Sequence, residues 1–170
     1  DLKAAMALFG NKLGQIYGQG ECPMTITALT RAMHREAPDE RLASVGVPHA
    51  VVEVKVIDEQ GAPLPAGQVG EICVRGEVVM QGYWNRPEAT AAAIRDGWLH
   101  TGDMGAFDDD GFLTLKDRLK DVIIRKGENI SAKEIEDLLY QHPKVGDVAV
   151  IGLPDKERGE RVCAVVERAA

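Results

Sequence analysis

Apolar and polar residues follow the chain in blocks whose period switches between strand-like and helix-like. Leu2, Ala5, Met6 and Phe9 share one side of a short helix over Asp1 to Phe9, with Gly10 placed as its C-terminal cap. Leu13 to Tyr17 predicts a short strand that runs into Tyr17-Gly18-Gln19-Gly20-Glu21. There two glycines permit a tight backbone path between an aromatic and a carboxylate. Such a loop past a strand end is where open α/β sheets usually bind ligands. Arg31 to Arg41 is charged and contains Pro38, so it reads as a surface segment with room for a helical turn. Val52, Val54 and Val56 then alternate with Glu53 and Lys55, which predicts a strand over Val51 to Ile57. Asp58 to Gly67 holds two glycines and two prolines and must be a loop; Val69 to Arg75 is the next strand, ended by Gly76.

Pro87 opens an alanine-rich helix through Ile94, and Asp96-Gly97 closes it. Met104 to Phe107 and Phe112 to Lys116 flank Asp108-Asp109-Asp110-Gly111, the signature of a hairpin. The aspartates do not make a calcium loop, because Gly111 comes too early for the EF-hand spacing. The stretch Asp117 to Glu136 changes the picture most. It begins Asp117-Arg118-Leu119-Lys120-Asp121, passes the apolar triplet Val122-Ile123-Ile124, turns at Gly127 and starts a helix at a Ser131/Glu134 capping pair. Ile135, Leu138 and Leu139 give that helix one apolar face, and Pro143 stops it. Strands at Val122 to Arg125, Asp147 to Leu153 and Arg161 to Glu167, with a helix at Ala132 to Gln141, describe an α+β module. The expected organisation is therefore one unit over 1–117, β-rich from 44 to 117, a charged pivot at 118–121, and a small unit over 122–170.

Composition narrows the function classes. A hydrophobic content of 45% with 28% charged residues supports a folded core, and a net charge of -7 argues against nucleic acid or an anionic membrane as partner. No apolar run approaches the ~20 residues of a membrane helix, and no signal-peptide pattern opens the chain. Cys22, Cys73 and Cys163 are far apart and the four histidines form no H-E-x-x-H, so spacing suggests neither disulfides nor a metal. A reducing, cytoplasmic setting fits. Asp1 is not a methionine, and Ala169-Ala170 follow directly on a strand-like run, so both ends read as cut.

Taken in order, the motifs become specific. Tyr17-Gly18-Gln19-Gly20-Glu21, Gly70-Glu71-Ile72, Gly82-Tyr83-Trp84, Pro87-Glu88-Ala89-Thr90, Thr101-Gly102-Asp103, Asp117 to Asp121 and Lys126-Gly127-Glu128-Asn129-Ile130 span nearly the whole chain. In this series the chain resembles the adenylate-forming superfamily of acyl-CoA synthetases, luciferases and peptide-synthetase adenylation domains, closest to fatty-acid-type acyl-CoA ligases. The resemblance implies a mixed α+β fold: a β-barrel-like subdomain ending a large domain, then the first part of a small α+β domain. It implies a ligase that joins a carboxylic acid to ATP as acyl-adenylate and passes the acyl group to coenzyme A. ATP/AMP, Mg²⁺ and coenzyme A are then the expected ligands. By the same resemblance Tyr17 stacks on adenine, Glu21 helps hold Mg²⁺, Asp103 accepts both ribose hydroxyls, and Arg118 binds the ribose or phosphate side. Gly20 stands where the family usually has threonine, which removes a hydroxyl from that site. Lys120 is the expected hinge between an adenylating and a thioester-forming pose, and in the second pose Lys126, Gly127 and Glu128 approach the nucleotide and pantetheine. The family's phosphate loop would fall before Asp1 and its adenylation lysine beyond Ala170, so the 170 residues alone are expected to be inactive. An adenylation domain loading a carrier protein and a non-catalytic β module are the competing readings.

Overall fold

The computed structural model describes residues 2–35, 37–118, 122–126 and 128–169. Two compact units result, Asp1–Lys116 and Asp117–Ala170. The fold is mixed α+β and sheet-rich, with a curled half-barrel sheet. Among the described residues no helix is long and apolar enough to cross a membrane.

The first unit contains α1 (Leu2–Phe9), β1 (Gln15–Gln19), β2 (Cys22–Leu29), α2 (Arg31–His34), α3 (Asp39–Leu42), β3 (Val47–Pro48), β4 (Val52–Ile57), β5 (Gly70–Gly76), α4 (Pro87–Ala93), β6 (Ile94–Arg95), β7 (Trp98–Phe107) and most of β8 (Leu113–Arg118). One sheet has the order β1-β2-β3; the other runs β4-β5-β7-β6, with β8 paired to β7. Tyr17, Cys22, Ile26, Val56, Ile72, Val74, Leu99 and Leu113 form a single core between these strands. The alternation in β4 and β5 works as the sequence predicts. Val54 pairs with Val74 and Val56 with Ile72, while Glu53 and Arg75 meet on the other face in a bidentate ion pair.

Two sequence expectations change here. Tyr17-Gly18-Gln19 is strand, not loop, and the chain turns at Gly20-Glu21 into β2, which the pattern of the sequence does not announce. Pro23 and a positive φ of 55° at Met24 interrupt its alternation. The β1/β2 register shifts between Tyr17 and Gln19, and at this bulge a Cβ on Gly18 would lie 2.3 Å from the Met24 nitrogen. Gly18→Ala is expected to destabilise the first unit by roughly 1–3 kcal/mol, the usual range for forced overpacking. An unchanged denaturation midpoint would show that the hairpin tolerates the side chain. The second change is at Asp96-Gly97, which belongs to the tight β6/β7 turn with φ of 51° and 77° and does not end the helix.

The second unit contains β9 (Val122–Arg125), β10 (Glu128–Ser131), α5 (Ala132–Tyr140), β11 (Val145–Asp155) and β12 (Gly159–Arg168), with sheet order β10-β9-β12-β11. Ser131 caps α5 by accepting the Glu134 N–H at 3.1 Å, and Ile135 and Leu139 pack on Ile123, Val148 and Val150. β10 adds a strand where the sequence suggested only a turn into the helix.

Candidate nucleotide site

The Thr101-Gly102-Asp103 motif is an extrusion of β7. On β5, Glu71 pairs with Met104 and Cys73 with His100, so three residues of β7 face the single residue Ile72. Three bonds hold the extruded backbone. Thr101 Oγ1 donates to the Ile72 carbonyl at 2.7 Å, the Asp103 N–H donates to Thr101 Oγ1 at 3.1 Å, and the Gly102 N–H donates to Glu71 Oε1 at 3.2 Å. Gly102 has φ +69°, a conformation that a glycine adopts without steric cost.

This places the Asp103 carboxylate, 8% exposed, against β1. The Tyr17 hydroxyl donates to Asp103 Oδ2 at 2.7 Å, and Gln19 Nε2 donates both to the same oxygen at 2.7 Å and to the Thr101 carbonyl at 2.9 Å. Donors on a carboxylate fix its orientation. Tyr17 belongs to the core and is 7% exposed, so its ring is packed and its phenol is the polar end that reaches the site.

Glu21 lies in the β1/β2 turn, half-buried, and accepts the Tyr83 hydroxyl on Oε1 at 2.5 Å, while its carbonyl accepts the Met80 N–H at 2.7 Å. The 76–84 loop is thus tied to Glu21 by side chain and backbone. The bond to Glu21 holds the Tyr83 phenol above its usual range. Beneath the extruded motif, Glu71 Oε2 is 2.8 Å from His100 Nδ1, which is 3.6 Å from Cys73 Sγ. Burial, and then the neighbouring Glu71 charge, push the Cys73 thiol up to about 12.

The remaining sequence candidates lie in the second unit. Arg118 ends β8, exposed, and its N–H donates to Asp117 Oδ1 at 2.8 Å. Lys126 and Glu128 are exposed at the β9/β10 turn, where Lys126 has φ 55° and donates its N–H to the Arg158 carbonyl at 2.8 Å. Lys120 and Gly127 lie outside the described residues. The structure therefore brings Tyr17 and Asp103 together and places Glu21 at the end of the same hairpin. Gln19, Thr101, Glu71 and Tyr83 stand within the sequence motifs, which by themselves assign them no task. Period-two spacing of Gln19 from Tyr17 was the available signal; the Tyr83 contact spans 62 residues and left none.

The AMP-binding enzyme family model matches residues 1–84 and the AMP-binding enzyme C-terminal domain model matches residues 134–169. The chain belongs to the adenylate-forming, AMP-binding enzymes. Among its relatives is a medium/long-chain-fatty-acid–CoA ligase of Mycobacterium tuberculosis, 46% identical over 97% of this chain and 28% of the ligase. Among solved structures, the amide bond synthetase McbA of Marinactinospora thermotolerans superposes with a TM-score of 0.82 at 46% identity, covering 98% of this chain and 34% of that one. The o-succinylbenzoate CoA synthetase of Bacillus subtilis, in complex with its acyl-adenylate intermediate, gives a TM-score of 0.84 at 36% identity over 99% of this chain and 34% of its own. The chain thus spans about a third or less of the length of these proteins.

Proposed function

We propose that this chain is part of an acid–thiol ligase that activates a carboxylic acid of the fatty class with ATP and transfers it to coenzyme A. Its residues 1–117 belong to the large domain, with 44–117 as its β subdomain; 118–121 form the hinge and 122–170 belong to the small domain. In the first half-reaction a carboxylate oxygen attacks the α-phosphorus and pyrophosphate leaves. In the second, the thiol sulfur attacks the acyl carbon and AMP leaves. The observation that carries the reading is Asp103, a nearly buried carboxylate fixed on an extruded strand segment by bonds to both flanks. An ionised carboxylate is acceptor-only, so its natural ligand is a pair of hydroxyl donors such as a ribose diol. Tyr17 sets that carboxylate's orientation and is the proposed adenine neighbour; Arg118 supplies a guanidinium to the ribose or phosphate side.

Glu21 fits Mg²⁺, since a half-buried carboxylate oxygen is a hard donor and this ion takes one or two carboxylates with phosphates and waters. When bound, Mg²⁺ neutralises phosphate charge during transfer. Tyr83 holds Glu21 in place meanwhile. The Lys126-Gly127-Glu128 turn is the proposed thioester-pose loop.

The acceptor is the part with a real rival, because an amide bond synthetase is as similar in fold and sequence as the CoA-forming enzymes. A ligase of the relatives' length carrying these residues is expected to catalyse pyrophosphate exchange into ATP only when a fatty acid is present. It should then form a thioester with free coenzyme A. Exchange without thioester, but with amide on adding an amine or with loading of a carrier protein, would replace the acceptor and keep the adenylation. No acid-dependent exchange would remove the reading altogether.

A further inference from the structure

Glu71 and Cys73 are two apart on β5, and His100 stands opposite Cys73 on β7. All three side chains therefore leave the sheet on one face, opposite to Ile72, Val74 and Leu99, which fill the core. One carboxylate oxygen, the sulfur and one ring nitrogen lie within 4.8 Å of one another, the one such group of three among the described residues. We propose that Glu71, Cys73 and His100 form a binding site for a divalent transition metal of the zinc class.

Ligand chemistry and geometry both point there. Thiolate, imidazole and carboxylate are the donors zinc accepts, whereas Mg²⁺ and Ca²⁺ prefer oxygen and would not select a sulfur. At usual zinc–ligand lengths, tetrahedral donor atoms stand about 3.4–3.6 Å apart. Here His100 Nδ1 is 2.8 Å from Glu71 Oε2 and 3.6 Å from Cys73 Sγ, so the nitrogen–sulfur spacing already suits an ion and the nitrogen–oxygen pair must open by roughly 0.6 Å. The His100 and Glu71 side chains are 14% and 16% exposed while Cys73 is fully buried, so an ion would enter from the His100 and Glu71 side, where solvent can supply a fourth ligand. On binding, the Cys73 S–H bond breaks, its proton goes to the buffer and a sulfur–metal bond forms. His100 binds through Nδ1, which releases to the buffer or to Nε2 the proton it shares with Glu71 Oε2, so that the bound neutral ring carries its proton on Nε2. Glu71 binds through Oε2, leaving Oε1 on the Gly102 N–H, so the metal attaches to the residue that supports the extruded motif. The site is independent of the ligase reading, and its test needs no activity.

In the purified, chelator-stripped chain, Co²⁺ is expected to produce a thiolate-to-cobalt charge-transfer band that saturates at one equivalent and is bleached by one equivalent of Zn²⁺. Cys73→Ser should abolish the band. Glu71→Gln and His100→Ala should each weaken Zn²⁺ binding by more than about tenfold, the least that even outer partners of a metal site contribute. A folded chain with no band overturns the proposal, and so does a band that survives Cys73→Ser, because its sulfur would then be Cys22 or Cys163. Should the variants fail to fold, X-ray absorption of the zinc-loaded unmutated chain decides. One sulfur with a nitrogen and oxygen shell supports the site, and no sulfur or two sulfurs overturns it.

Discussion

Replacing Asp103 with alanine, in a ligase of the relatives' length that carries these residues, is expected to lower kcat/KM for ATP by about 100- to 10,000-fold. The estimate follows from two charge-assisted hydrogen bonds to the ribose at about 1.5–3 kcal/mol each, with ~1.4 kcal/mol to a factor of ten. The same substitution also removes the Oδ2 acceptor shared by the Tyr17 hydroxyl and the Gln19 amide, of which the amide keeps its bond to the Thr101 carbonyl. Hydrogen bonds to a charged group contribute about 1.5–3 kcal/mol each. Stability and nucleotide binding would then fall together, so the alanine variant alone does not separate them. Tyr17→Phe separates them. It removes the same intramolecular bond and keeps the ring, so it should share much of the loss in denaturation midpoint while changing kcat/KM for ATP by no more than about tenfold, the worth of one ordinary hydrogen bond. If both variants lose ATP turnover equally, Asp103 is a structural carboxylate and not the ribose acceptor. An unchanged kcat/KM for ATP in Asp103→Ala would reject the assignment outright.

The elements that could be read in the sequence are those whose pattern answers to one neighbour. Strand β4 alternates because one face meets the core and the other meets Arg75 and solvent, and α5 declares itself through Ser131 and the stripe of Ile135 and Leu139. Strand β2 could not be read this way, since Pro23 and the positive φ at Met24 break its alternation, and its buried Thr27 owes its place to a bond with the Val45 carbonyl. The site divides along the same line. Tyr17, Glu21 and Asp103 were visible as motif residues, but what holds them was not. That the Thr101 to Asp103 segment is an extruded bulge depends on the β5/β7 register, a pairing across about thirty residues that leaves no local period. Sequence spacing alone points away from Cys73 and His100 as metal ligands. It is the same register that sets them side by side.

Lys120 lies outside the described residues, at the pivot proposed between the two units, and its substitution tests the two-pose mechanism itself. Lys120→Pro fixes φ at about −65° and so admits only those poses that use this angle. The bond between Tyr17 and Asp103 lies within the first unit and does not involve the pivot. If the backbone at Lys120 turns between adenylation and thioester formation, one half-reaction is expected to fall by on the order of 100-fold or more and the other by less than about tenfold. General destabilisation cannot give that asymmetry, because it lowers the amount of folded enzyme available to both steps alike. Lys120→Ala is the needed control: it removes the charge and leaves φ free, so a hinge predicts small and similar changes in both steps. A charge requirement predicts that alanine behaves as badly as proline. Pyrophosphate exchange reports the first step, and thioester formation from pre-formed acyl-adenylate reports the second. Equal losses in the two steps for Lys120→Pro, or none in either, would take the hinge away from Lys120 and leave Asp117 to Asp121 as a charged connector.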